Sequence, residues 1–304
     1  MQQKTKTLLS RALLLTGILV VLDQAGGRLL EYYYRKVKSG SEYKTVYALE
    51  KSREPLIVMG SSRAYHHYVP ALLQQGLRLD CYNLGRDGVG VLYDYAVYRT
   101  ICDRKAPEMM IIDINLEEFT DQELARQLLY HLLPHYDENS YIKEVVQLRS
   151  RFEWLKVQSR LYRFNSQLFY IALNNMRSTC IDTAKGYLPL QGKLNQAPEL
   201  GHIGQAADEL LVRYFEKLLE ETRRQHTRVA VCVSPVYRRY PGNTASIVRA
   251  AGLCRRYGIP FLDFSQDKRF LEHPELFRDV AHLNDNGAHL YTSLVVEALK
   301  GLNY

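Results

Sequence analysis

The chain has 304 residues, of which 46% are hydrophobic and 24% charged, with a formal net charge of +7. That balance excludes a disordered polymer and is enough for one large folded unit or two ordinary ones. Basic residues are scattered, as in Arg223-Arg224, Arg238-Arg239 and Arg255-Arg256, beside acids or apolar residues. They read as a solvated surface, not a nucleic-acid stripe.

In chain order, residues 8–22 form an apolar run preceded by Lys4 and Lys6. A positive flank before an apolar run marks a signal peptide or a membrane anchor. No small-x-small cleavage site precedes Asp23, so residues 1–30 are expected to form an uncleaved signal anchor, with the main domain exported. The alternative is an amphipathic first helix of a soluble protein. Residues 31–53 read as a helical stalk or linker, and 54–304 as the main domain.

Within that domain, short apolar runs predict strands over 55–59, 79–84, 109–114, 228–233 and 260–264. Helical patterns start at Pro70 and cover 91–102, 205–225, 244–257 and 287–299. The stripe Leu210, Leu211, Tyr214, Phe215, Leu218 and Leu219 marks a core-facing helix. The alternation predicts an α/β fold, a parallel sheet of about five strands with helices on both faces. Residues at about 117–204 show helical and irregular segments without a core strand, and read as a helical insertion. The five cysteines, Cys81, Cys102, Cys180, Cys232 and Cys254, lack Cys-x-x-Cys spacing. They read as free thiols, most of them buried, without a zinc site or disulfide framework.

Two motifs carry the chemistry. Val58-Met59-Gly60-Ser61-Ser62-Arg63 puts a hydroxyl on the turn after the first strand. Asp279-Val280-Ala281-His282-Leu283-Asn284, followed by Gly287, puts a carboxylate and an imidazole three residues apart before the last helix. Serine, histidine and aspartate are the parts of an activated hydroxyl nucleophile. Read singly, Ser62 is a helix cap, and Asp279 and His282 are a cap and a surface histidine. Read together, they point to acyl transfer. The glycine loop Gly85, Gly88 and Gly90 follows the second strand and lacks the acidic partner of a dinucleotide site. His131-x-x-x-His135 has metal spacing, but Pro134 breaks the helix that would align it. Arg63 is either an anion contact or the partner of a local carboxylate.

These blocks resemble the SGNH (GDSL-like) hydrolase superfamily over roughly 54–115 and 226–300. Gly60-Ser61-Ser62 is similar to its first block, Asn83 and Gly88 to its second, and Asp279-x-x-His282 to its last. Its third block, Gly-x-Asn-Asp, is absent, and Asn115 is an approximate match. Gly-Ser-Ser-Arg with Asp-x-x-His-Leu-Asn-x-x-Gly resembles a membrane-anchored subgroup that includes alginate O-acetylation proteins and the D-alanyl-transfer protein of teichoic acid assembly. The resemblance implies a flavodoxin-like sheet, with Ser62, Asp279 and His282 as the triad and Gly88 and Asn115 at the oxyanion hole. It also implies no cofactor or metal. The substrate it implies is an envelope polysaccharide or acylated carrier, handled with a membrane-bound acyltransferase partner. A non-catalytic binding or assembly factor of the same fold is the alternative.

Overall fold

The computed structural model describes residues 2–165, 167–176, 184–204 and 206–302. Five strands make one parallel sheet: β1 (Leu56–Gly60), β2 (Cys81–Asn83), β3 (Met109–Asp113), β4 (Arg228–Val233) and β5 (Phe261–Asp263). Their order is β2-β1-β3-β4-β5, as in flavodoxin-like sheets. The chain steps outward from β1 to β2 and then returns past β1 to β3. The carboxyl ends of β1 and β3 therefore border the switch point, where ligands of such sheets bind.

Alternate strand residues feed two cores, as the two-residue period of a strand requires. Ile57, Met59, Met110, Ile112, Val229 and Val231 face the layer of helices Val91–Cys102, Glu209–Arg224 and Ala245–Tyr257. Leu56, Val58, Met109, Ile111, Ala230 and Cys232 face helices Ser62–His67, Pro70–Leu77 and Asp285–Gly301. Leu211, Phe215, Leu218 and Leu219 are fully buried, each contributing about 1.5–3 kcal/mol of transfer free energy. Asp208 caps that helix by accepting from the amides of Leu210 and Leu211. β1 ends on Gly60 at φ +133°, where an added Cβ would lie 2.4 Å from the Asp113 carbonyl oxygen. Only glycine lets the chain turn so tightly against β3.

Among its described residues, the segment 117–204 adds no strand to the main sheet. Its described residues include helices Gln122–Leu128, Ser140–Gln147 and Leu168–Met176. Leu132, Leu133, Ile142 and Val145 from it extend the first core. A two-residue ladder, Glu199–Leu200 on Arg238–Arg239, lies on the surface. Cys81, Cys232 and Cys254 are buried free thiols and Cys102 is half-buried, while Cys180 lies outside the described residues.

One helix, Gln2–Arg35, opens the chain. Its stretch Gln3–Arg35 is long and apolar enough to be a membrane anchor or signal sequence. From Asp23 onward it is docked on the insertion. Asp23 accepts from the Ser159 hydroxyl and from the amides of Arg160 and Leu161, and Arg160 pairs with Glu31 at 3.1 Å. The segment 31–53, expected as a stalk or linker, is packed instead. Tyr34, Val37 and Val46 form a buried cluster with Phe164 and Ile171 of the insertion. The insertion supplies that partner from more than a hundred residues away, so no local pattern in 31–53 announces it.

Candidate active site

Ser62 opens the helix Ser62–His67 directly after β1. The residue at the cap position is Ser61, in extended backbone and without a side-chain cap bond. The Ser62 hydroxyl is therefore not spent on capping. It lies 2.8 Å from Nε2 of His282, 220 residues along the chain. On the far side of that ring, Nδ1 is 3.0 and 3.1 Å from the two carboxylate oxygens of Asp279. A carboxylate at Nδ1 fixes the proton there, leaving the Nε2 lone pair to accept from the serine.

Local structure holds the Asp279–His282 turn. Asp279 Oδ1 also accepts from the amides of Ala281 and His282, at 2.9 and 3.0 Å. Its burial favours the neutral acid, but these amides and the adjacent imidazole outweigh that and hold the carboxyl below its ordinary value. The Arg278 amide donates to the His282 carbonyl. Asn284 caps the closing helix through the Gly287 amide. At Gly287 an added Cβ would meet the Leu276 carbonyl oxygen at 2.2 Å, which accounts for the glycine three residues after the asparagine.

Arg63, next to the serine, is buried, 3.7 Å from Asp113 and bonded to the carbonyls of Ile114 and Ser234. It serves the local carboxylate, not an open anion site. Asp113 also accepts from the Tyr68 hydroxyl and from Ser234. Burial raises its carboxyl, opposed by Arg63 and these donors.

Asn115 follows β3. Its side-chain amide nitrogen donates to Ser61 Oγ at 3.0 Å and to Glu118 Oε2 at 2.9 Å, which occupies both hydrogens. Glu118 takes the Asn115 amide on the same oxygen and the Val91 amide on the other. Burial raises the Glu118 carboxyl against these donors, and burial together with the Glu118 charge raises that of Asp94. Sequence reasoning missed Glu118. Its only signal was an acid three residues after Asn115 on a loop leaving a buried strand.

Ser62, Asn115, Leu124, Val236, Tyr240 and His282 border one groove of about 470 Å³. Gly88 does not. It lines a separate cleft with Arg86, Asp87 and His131, so the structure brings three of the five expected site residues to one groove, joins Asp279 to them through His282, and leaves Gly88 outside. Asn83 is a buried tie. Its Nδ2 donates to the carbonyls of Ala64 and Tyr68, and its Oδ1 accepts from the Gly85 amide. His131 and His135 do not converge on a site: His131 lines the cleft, whereas His135 bonds Glu138 and the Tyr34 hydroxyl. Glu50, His135 and Glu138 come close enough to hold an ion, but Arg35 pairs with both carboxylates and already supplies a positive charge.

No family model matches the chain, and no curated protein matches it. Among solved structures it is similar to a Bacteroides fragilis protein described as an acylhydrolase, with 11% identity, a TM-score of 0.40, and coverage of 81% of this chain and 86% of that one. It is also similar to a gut microbial diltiazem-metabolizing enzyme, with 12% identity, a TM-score of 0.35, and coverage of 82% of this chain and 47% of that one.

Proposed function

We propose that this chain is an SGNH-like serine acyl-transfer enzyme or esterase, held at a membrane by its N-terminal helix. Its main domain is exported and acts on acyl esters of a cell-envelope polysaccharide or an acylated carrier. One observation carries the reading: Ser62 Oγ, His282 Nε2 and the Asp279 carboxylate make a continuous hydrogen-bonded line at the carboxyl edge of the sheet.

In this reading Ser62 Oγ attacks the ester carbonyl while His282 Nε2 takes its proton. The tetrahedral intermediate collapses, His282 returns the proton to the leaving oxygen, and the acyl group remains on Ser62. Water or a sugar hydroxyl, deprotonated by the same nitrogen, then removes it. Asp279 holds the tautomer and stabilises the imidazolium. The Ser62 amide, in the first turn of its helix and so without an intrahelical acceptor, is a donor free for the oxyanion. The docked stretch after Asp23 supports an anchor that stays with the domain. An anchored transferase fits acyl groups handed over by a membrane-bound acyltransferase partner.

A second reading, a non-catalytic assembly factor, draws on two facts. Both Asn115 amide hydrogens are engaged, and Gly88 lies outside the groove. A fluorophosphonate pulse read by intact-protein mass separates the two. Wild type and Ser61→Ala should be labelled and Ser62→Ala should not. An unlabelled wild type favours the assembly factor, and label that depends on Ser61 moves the nucleophile.

A further inference from the structure

Beside the serine groove lies a cleft of about 480 Å³, within the size range of small-molecule sites. The glycine loop after β2, the start of helix Gly40–Glu50 and the insertion build it. Two of its polar groups are buried and unused. Arg86 is 1% exposed and His131 is 6% exposed, yet Arg86 Nη1 and His131 Nδ1 have no partner among the described residues. Leaving such groups unpaired is costly, and both side chains line the same cleft.

The surrounding chemistry narrows the ligand. Arg86 is held by Nε on the Ser41 carbonyl at 2.9 Å, and its Nη2 is 3.7 Å from Glu42. Glu42 also accepts from Asn174 at 3.1 Å. Guanidinium donors and a carboxylate acceptor thus stand side by side, the pattern that two neighbouring hydroxyls satisfy together. The positive charge is balanced by Glu42, and Asp87 faces His66 at 3.4 Å, so no net positive site remains for an anion. His131 is kept neutral by burial and by the charges of Arg86 and Arg149, which bring it down to about 2. It therefore offers one donor and one acceptor. Tyr130, whose ring lies 3.8 Å from that of His131, and Tyr170 supply aromatic faces.

We propose that this cleft is a subsite for one neutral pyranose ring of a glycan, with Arg86, Glu42 and His131 reading hydroxyls and Tyr170 covering a ring face. It rests on the polysaccharide reading above and deepens it. Asp87 lines the cleft and pairs with His66, whose ring stands edge-on to His282 at 5.8 Å. One histidine thus separates the two depressions, and a ring in the cleft leaves its neighbour along the glycan facing the serine.

The test uses the full chain in a detergent without a sugar headgroup, applied to an array of neutral, N-acetylated and uronate oligosaccharides. A neutral or N-acetylated glycan should bind, and Tyr170→Ala, at a half-exposed position, should weaken it about tenfold, the weight of one aromatic anchor. Arg86→Gln should abolish binding, with circular dichroism reporting that it folds. Binding of no neutral glycan, binding indifferent to Tyr170→Ala, or binding of uronates alone would each overturn the subsite. The array needs no turnover, so it is independent of serine labelling. A wild type that labels but binds no glycan loses only the subsite, and one that binds but does not label loses only the catalytic reading.

Discussion

The backbone amide of Leu283 donates to Nε2 of His67 at 3.0 Å, so the residue after His282 is held by the last residue of the helix that Ser62 begins. His67 in turn bonds through Nδ1 to Ser234 Oγ at 2.9 Å, and Ser234 reaches Asp113. Accepting at Nε2 puts the proton on Nδ1 and requires a neutral ring. The two distant motifs are therefore tied at a second point besides their own hydrogen bond.

The neutral His67 has a consequence for pH. Burial first, then the charges of Arg63, His282 and His66, push its imidazole well below the ordinary value. The unfolded chain takes up a proton below about pH 6.5 and the native chain does not. Stability is thus full above that value and falls as pH drops toward the folded value, by about 1.4 kcal/mol per pH unit. His131 acts with the same sign. His67→Gln should lower the thermal midpoint at pH 8 and flatten its decline between pH 6.5 and 5. Parallel curves for the two proteins would mean that His67 is not held neutral.

Asp279→Asn should fold, since the half-exposed side chain keeps an oxygen for the amides of Ala281 and His282. The imidazole then loses the carboxylate that fixes its tautomer. Labelling of Ser62 should slow by roughly 10⁴, the scale of the equivalent change in a serine protease. Stopped-flow or timed mass spectrometry reads it, and a loss under tenfold would reduce Asp279 to a turn residue.

Ser61 and Asn115 form one support, joined at 3.0 Å and anchored on Glu118. Ser61→Ala and Asn115→Ala should each slow labelling only modestly, because neither presents a spare hydrogen to the oxyanion. The double variant should cost little more than either single one, as expected of groups acting as a unit. A loss of about 10²–10³ for Asn115→Ala alone would instead make its amide an oxyanion donor.

The only tryptophan, Trp154, is 55% exposed on the short helix Glu153–Lys156, just before the turn docked on Asp23. Phe152 and Leu155 beside it are exposed as well. With the apolar stretch in a bilayer, this corner lies at the interfacial level that aromatic side chains prefer. Acyl-brominated phosphatidylcholine in vesicles carrying the full chain should quench Trp154 fluorescence. Unchanged emission would place that corner away from the lipid.

The strands were legible because each is a short apolar run of a buried parallel sheet, and both ends of the site because each is a local pattern around one turn. Gly60, Asn284 and Gly287 stood in those motifs without a role, and the structure gives each one: a close approach at the glycines and a helix cap at the asparagine. What was not legible depends on distant partners. Tyr34, Val37 and Val46 look like linker residues until Phe164 and Ile171 arrive to bury them. Gly88 sits at the right spacing along its loop, yet the loop carries it into the neighbouring cleft. His67 beside His66 gave no sign that one would anchor Leu283 and the other face Asp87.

The clasp between Asp23 and the 158–161 turn sits on a helix that runs without a break from the apolar stretch to Arg35. From residue 22 to 35 that helix rises about 20 Å. A domain joined this way, with the apolar stretch in a membrane, does not sweep a volume as one on a flexible linker does. In the proposed enzyme the serine would then work at one height above the lipid. For an anchored acyl-transfer enzyme of the kind proposed, the effective concentration would be that of acyl donors and acceptors in that thin layer, and lengthening the chain between anchor and domain would dilute it without touching a single catalytic atom.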